Sequence, residues 1–239
     1  ASVMGDPIIS AAAGEEGYPL ADAVGDHFIS RMCRYWGVAL AGFQRGEVST
    51  GIALLQELQA EAEHAADLFH LLLVDIALAH AFTVTGRYSE ARARAQEGVQ
   101  RAVELGPFLA PWAYAPLAQA ALLEGDIDAA REANDVMSQI MTSHPEFGIA
   151  NVTPTVELAF VRGDLDSARR RADEAVSVML GWHRARALIT RAHVAIAQGD
   201  LEQGESDARE ALSTAREVDA FQVAPDAVEI LTEVACATG

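Results

Sequence analysis

Seven glycines recur along the chain at intervals of 36 to 41 residues: Gly5, Gly46, Gly86, Gly125, Gly163, Gly199 and Gly239. Each follows a helix-like stretch, and most share a downstream pattern. Two residues on stands a hydrophobic side chain (Val48, Tyr88, Ile127, Leu165, Leu201), and five residues on stands a small one (Gly51, Ala91, Ala130, Ala168, Gly204). A period of this length arises when helix pairs that cannot bury their apolar faces alone are stacked one on the next. The chain is therefore expected to be an all-α solenoid of stacked helix pairs, acting as a binding scaffold.

Each period holds one helix before the glycine and one after it. Around Gly86, the stretch Ala65 to Val84 carries Leu68, Leu71, Leu72, Ile76, Ala79 and Phe82 at three- and four-residue spacing, which makes one apolar stripe. Gly86 follows the last turn, where a left-handed residue satisfies the orphan carbonyls and only glycine goes without strain. Ser89 to Glu104 then places Ala91, Ala95, Val99, Ala102 and Val103 inward, and Pro107 stops simple continuation. Further helices are predicted over 26–44, 48–64, 110–123, 127–142, 154–161, 165–180, 184–197, 201–218 and 226–237. Asp126, Asp164 and Asp200 stand where an N-cap carboxylate is most useful. The stretch from Pro145 to Pro154 is the least regular and predicts a longer connection. The opening segment, with Pro19 inside it, reads as the second half of an earlier repeat. The chain stops on a turn glycine, so residues 1–239 are expected to be one repeat domain within a longer polypeptide.

Composition excludes several functions. With 51% hydrophobic and 6% aromatic residues, alanine fills the small positions of close-packed helices. The most apolar run, Leu71 to Ala79, is interrupted by Asp75 and too short to span a bilayer. No basic segment precedes an apolar one at the start, and Cys33 and Cys236 lie at opposite ends. A cytoplasmic setting is the expectation. Net charge is −18, and all 17 basic residues are arginine. That field disfavours nucleic acid, since phosphate binding needs clustered cations. Without lysine there is no P-loop, Schiff-base or kinase-type chemistry. No His-Glu-x-x-His, Cys-x-x-Cys, Gly-x-Ser-x-Gly or glycine-rich phosphate loop occurs, so neither catalysis, metal nor cofactor is expected.

The pattern Gly-Asp-hydrophobic-x-x-Ala between two helices resembles the tetratricopeptide repeat, in a form longer than that motif's usual length of about 34, and so implies a right-handed superhelical solenoid; a HEAT-type solenoid, whose repeat length overlaps, is the rival. The stretches Gly163-Asp164-Leu165-Asp166-Ser167-Ala168-Arg169-Arg170, Ala172 to Val178, Gly181-Trp182-His183 and Ala187 to Gly199 are more particular. They resemble the repeat domain of actinobacterial LuxR-type regulators, which join a cyclase-like domain, a P-loop ATPase, helical repeats and a C-terminal helix-turn-helix. The finer similarity runs from about Val156 to Ala220. The resemblance implies a superhelix that senses an inducer or partner protein on its concave face and relays it to the other domains of the parent chain. In the best-understood relative of this class the inducer is an oligosaccharide. A free-standing tetratricopeptide adaptor that binds peptide segments is the alternative.

Aromatic residues gather on the first helices of the repeats. Tyr35, Trp36, His70, Trp112, Tyr114 and Trp182 either line the concave face as a stacking platform or fill the core between repeats. His64, Asp67 and His70 sit three apart on one helix, which turns the two histidines away from each other, so a surface role is expected rather than a metal site. Arg169, Arg170 and Arg171 face Asp173 and Glu174 at helical offsets and predict a partly ion-paired outer face. The acidic pairs Glu61/Glu63 and Asp126/Asp128 are expected at the surface and at a helix start.

Overall fold

The computed structural model describes residues 5–106, 109–143 and 152–238. Among these there is no strand. In chain order the helices are α1 (Pro7–Ala23), α2 (His27–Cys33), α3 (Ala41–Arg45), α4 (Val48–His64), α5 (Leu68–Val84), α6 (Tyr88–Leu105), α7 (Ala110–Leu123), α8 (Ile127–Ser143), α9 (Val152–Val161), α10 (Leu165–Val178), α11 (Gly181–Ala197), α12 (Leu201–Glu217) and α13 (Ala224–Thr238). A π-helical stretch, Arg34–Leu40, joins α2 to α3, and a 3-10 turn, Phe221–Val223, precedes α13. The irregular connection expected near Pro145 and the stop at Pro107 lie outside the described residues.

The described turn glycines take the left-handed conformation their position requires, with φ from 71° at Gly5 to 95° at Gly46. At Gly86 the N–H bonds to the Thr83 carbonyl at 3.1 Å, and the Arg87 N–H reaches back to Phe82 at 2.8 Å. These bonds satisfy the carbonyls that the last turn of α5 leaves open. The next helices are capped as expected: Asp126, Asp164 and Asp200 accept the backbone N–H of Ala129, Ser167 and Gln203, each at 3.1 Å. Boundaries differ by up to three residues, as at α11, expected from 184 and starting at Gly181. The helix expected from Ala65 starts at Leu68, because Ala66 adopts φ 51° and Asp67 takes the cap, accepting from the His70 N–H.

Each helix packs on its neighbour in sequence, and alternate helices also touch: α5 on α7, α7 on α9, α9 on α11, α11 on α13. Sequence pattern explains the two layers. Nearly every residue of α5 from His70 to Thr83 is buried, whereas α6 buries only Ala91, Ala95, Gly98 and Ala102, one stripe of a charged helix. Alternate helices thus form an inner layer.

The expected helix 26–44 is a continuous rod carrying the π stretch in its middle. There it lies against α1 so closely that a Cβ on Gly37 would sit 2.3 Å from the Gly14 Cα. Only glycine at both positions permits that approach.

The chain also meets itself end to end. The Trp182 N–H donates to the Gly5 carbonyl at 2.7 Å, and the Phe43 ring stands edge-on to the Trp182 indole, centroids 6.3 Å apart. Trp182 Nε1 donates to Gln222 at 3.0 Å, and α3 packs on the 3-10 turn. Phe43 and Ala81 therefore share one apolar cluster with Trp182, Ala220 and Val223.

Candidate functional site

The inner layer encloses a cavity of about 590 Å³, a size suited to a small ligand. Its walls come from the C-terminal ends of α5, α7 and α9, the middle of α11, and the start of α13. One side is apolar. Val84, Leu123 and Val161, each the last residue of its helix, line the groove yet stay 47%, 45% and 52% exposed. Four residues before each, and before Ala197 on α11, stand His80, Gln119, Glu157 and His193. This spacing of four stacks the two columns one helical turn apart.

Arg186 is the cation among the described groove residues. Its guanidinium lies over the Trp182 ring, Cζ 5.0 Å from the centroid. Among the described residues its side chain makes no hydrogen bond or ion pair, and burial pushes it below its ordinary value against the pull of Glu157 and Asp226. Glu157 is pushed up to about 7 by burial, which outweighs the opposing influence of Arg186 and Gln119. Its contacts are long: Gln119 Nε2 donates at 3.4 and 3.5 Å. Asp226 is also raised by burial, although it keeps access to water, as fits a carboxylate on a concave wall. His80 is pushed down to about 3 by burial and by the nearby Arg186 and His183. The groove thus sets one guanidinium and two carboxylates around an apolar step, none held by a strong internal partner.

The six aromatic and histidine residues expected on this face divide into two groups. Tyr35, His70 and Trp182 are buried, at 3%, 1% and 8% exposure. The Tyr35 hydroxyl donates to the Leu73 carbonyl at 3.0 Å, and burial pushes the phenol up. Such rings pack between helices and are removed from any surface a ligand touches. Trp36, Trp112 and Tyr114 are half-buried, packed against the clusters around Leu73 and Leu72. None of the six lines the cavity; Phe160 is its aromatic residue. The helices around this cavity line it with other side chains.

His70 corrects a second expectation, since it is a core residue rather than a surface one. Its Nδ1 meets Asp67 at 2.7 Å, and Arg31 Nη2 donates to the same carboxylate oxygen at 2.7 Å. Burial raises Asp67, but Arg31 and His70 outweigh it and hold the carboxyl below its usual range. Burial outweighs Asp67 at His70 and holds that imidazole low. Among the described residues no group of three or more potential ligands could hold a metal ion. On the outer face Arg169 pairs with Asp173 at 3.2 Å, as the helical offset predicts, whereas Arg170 donates to Ser167 at 3.0 Å rather than to Glu174. Both cysteines are free, and among the described residues no helix is long and apolar enough to cross a membrane.

No protein-family model matches the chain. It is 37% identical over 237 residues to "Putative HTH-type transcriptional regulator Mb0914c" of Mycobacterium bovis, and equally to "Putative HTH-type transcriptional regulator Rv0890c" of Mycobacterium tuberculosis. Each match takes in 99% of this chain but 27% of the relative, so the chain spans about a quarter of their length. Among solved structures, BtubC (BKLC) from P. vanneervenii superposes with a TM-score of 0.56 at 15% identity, over 90% of this chain and 92% of that one. That similarity concerns the helical fold alone.

Proposed function

We propose that this chain is the ligand- or partner-sensing segment of a LuxR-type transcriptional regulator, with no catalysis of its own. In this reading residues 1–239 form one tetratricopeptide-like right-handed superhelix, joined to the other domains of a cytoplasmic parent protein. Two observations support it: the 37% identity to proteins named as transcriptional regulators, across almost the whole chain, and the groove along the inner helices, which carries the reading. Unpartnered charges beside exposed valine and leucine side chains are costly to keep unless something covers them. The acidic balance assigns DNA contact to another part of the parent.

The test uses the parent protein in its host with a promoter reporter. Leu123→Trp and Val161→Trp would obstruct the groove from exposed positions, leaving the core untouched. Reporter output should change at unchanged protein level for both; unaltered output in both would sink the sensing role. A parent gene that encodes no DNA-binding domain would favour the free-standing adaptor.

A further inference from the structure

Three features stand apart from the packing already described: the groove, the buried Arg31–Asp67–His70 cluster, and exposed apolar residues of α1 and α2 such as Ile9 and Leu20. The buried cluster is closed to ligands, and nothing identifies what would cover the α1–α2 residues. The groove carries more, because its charges constrain its occupant.

We propose that the groove binds a short apolar peptide with both ends free, its carboxylate on Arg186, its ammonium at Glu157 and Asp226, and its side chains along Val84, Leu123 and Val161. The inference rests on the groove being the sensing site and adds the chemical class of the ligand.

Arg186 presents the geometry for a carboxylate. Trp182 covers one face of its guanidinium, and the N–H edge is left without an internal acceptor among the described residues. A planar fork held this way matches a carboxylate with two parallel hydrogen bonds. Opposite in charge, Glu157 has only two long contacts from Gln119, and the Asp226 side chain has no hydrogen bond among the described residues. No ion pair forms between Arg186 and either carboxylate. The charges are thus set apart: Arg186 acts on Glu157 and Asp226, and His193 on Asp226, through space and without direct contact among the described residues.

Charge alone rules against simpler occupants. A lone anion would gain Arg186 but meet Glu157, Asp226 and a chain of net charge −18. A lone cation would gain the carboxylates but meet Arg186. A neutral sugar would displace water from all three without replacing the charge. A ligand with both signs satisfies every group. The three apolar steps come from helix ends 39 and 38 residues apart in sequence, one from each of α5, α7 and α9. They form a row suited to successive apolar side chains, and the volume of about 590 Å³ accommodates more than a single amino acid.

Isothermal titration of the 239-residue chain at pH 8 tests this, with trileucine, N-acetyl-trileucine, trileucine amide and the doubly blocked peptide. Trileucine should bind saturably. Each single block should weaken binding about 10-fold or more, the loss expected for one charge-assisted hydrogen-bonding partner. Arg186→Gln should erase the difference between trileucine and its amide. Glu157→Gln combined with Asp226→Asn should erase the difference between trileucine and its acetylated form. The blocked-peptide series in the native chain decides the matter even if a variant fails to fold. Equal binding of acetylated and free peptide, or no saturable binding of trileucine, trivaline or triphenylalanine, overturns the proposal. If the peptides fail while Leu123→Trp and Val161→Trp still alter the reporter, sensing stands with another ligand; if both fail, both readings fall.

Discussion

Glu157→Gln should make the protein more stable at neutral and alkaline pH, although it removes a charged residue from a polar cluster. Burial holds the Glu157 carboxyl up, from 4.5 to about 7. The unfolded chain loses that proton near 4.5, whereas the folded chain keeps it to about 7, so the native protein loses stability as pH rises through this window. Below the window both states are protonated and the group contributes nothing; above it the full cost is present. At about 1.4 kcal/mol per tenfold change, the gap sets an upper limit of about 3.5 kcal/mol. Glu157 still reaches water through the groove, which reduces the figure to about 1–2 kcal/mol. Glutamine keeps the shape and can accept from Gln119 through its carbonyl. Urea unfolding of native and variant chains at pH 5, 6, 7 and 8 isolates the effect as a difference, because Arg186, Asp226, His80 and His193 around the site are common to both chains. The variant's advantage should be small at pH 5, grow to pH 7 and level off by pH 8. An advantage independent of pH, or a variant less stable than the native chain at pH 8, would refute a buried, raised carboxyl.

Gly37→Ala should cost about 3 kcal/mol or more in the same assay, since backbone meets the new methyl on two sides and α1 must separate from the π stretch; a loss under 1 kcal/mol would rule out that close approach. Gly86→Ala meets no neighbour within 4 Å, so only its positive φ resists, and the loss should be about 1–2 kcal/mol. Asp67→Ala leaves Arg31 buried beside His70 and uncaps α5, and should lower stability by about 3–5 kcal/mol, read by thermal melting. Loss of the α5 cap alone would give only about 1 kcal/mol, so the size of the drop separates the two roles.

Much of this architecture was legible in the sequence because it is local. A glycine needs only its own dihedral angle to end a helix, and an aspartate directly after it caps the next one by itself. The start of α5 was misplaced by a similar local competition, where Asp67 captured the cap that an earlier start would have required. The site was less legible. Tryptophan and tyrosine attract attention as binding residues, but Tyr35 and Trp182 have more apolar area to bury between helices than to offer a ligand. Glu157 and Arg186 looked like ordinary polar residues of helices, because their environment is made by α7, α11 and α13 together. One signal was available: His80, Gln119, Glu157 and His193 recur in register on otherwise apolar inner helices, where a polar side chain has no reason to recur unless it faces an open space. The meeting of Gly5 and Phe43 with Trp182 had no such signal, since it repeats nowhere.

That meeting changes how the molecule should fold. In an open array each helix pair touches only its neighbours, folding can begin anywhere, and the ends fray at small cost. Here Gly5 is hydrogen-bonded to, and Phe43 packed on, a residue 177 and 139 positions away, counting from their numbers to 182. Contacts of that sequence separation carry a loop-closure cost before they return any stability, which slows folding. In exchange, loss of the Trp182 side chain removes its contacts to Phe43 on α3 and to Gln222 before α13 at once, while the backbone bond to Gly5 stays. Chevron kinetics on Trp182→Ala should therefore show unfolding accelerated far more than folding is slowed, with α3 and α13 losing hydrogen-exchange protection together rather than in turn.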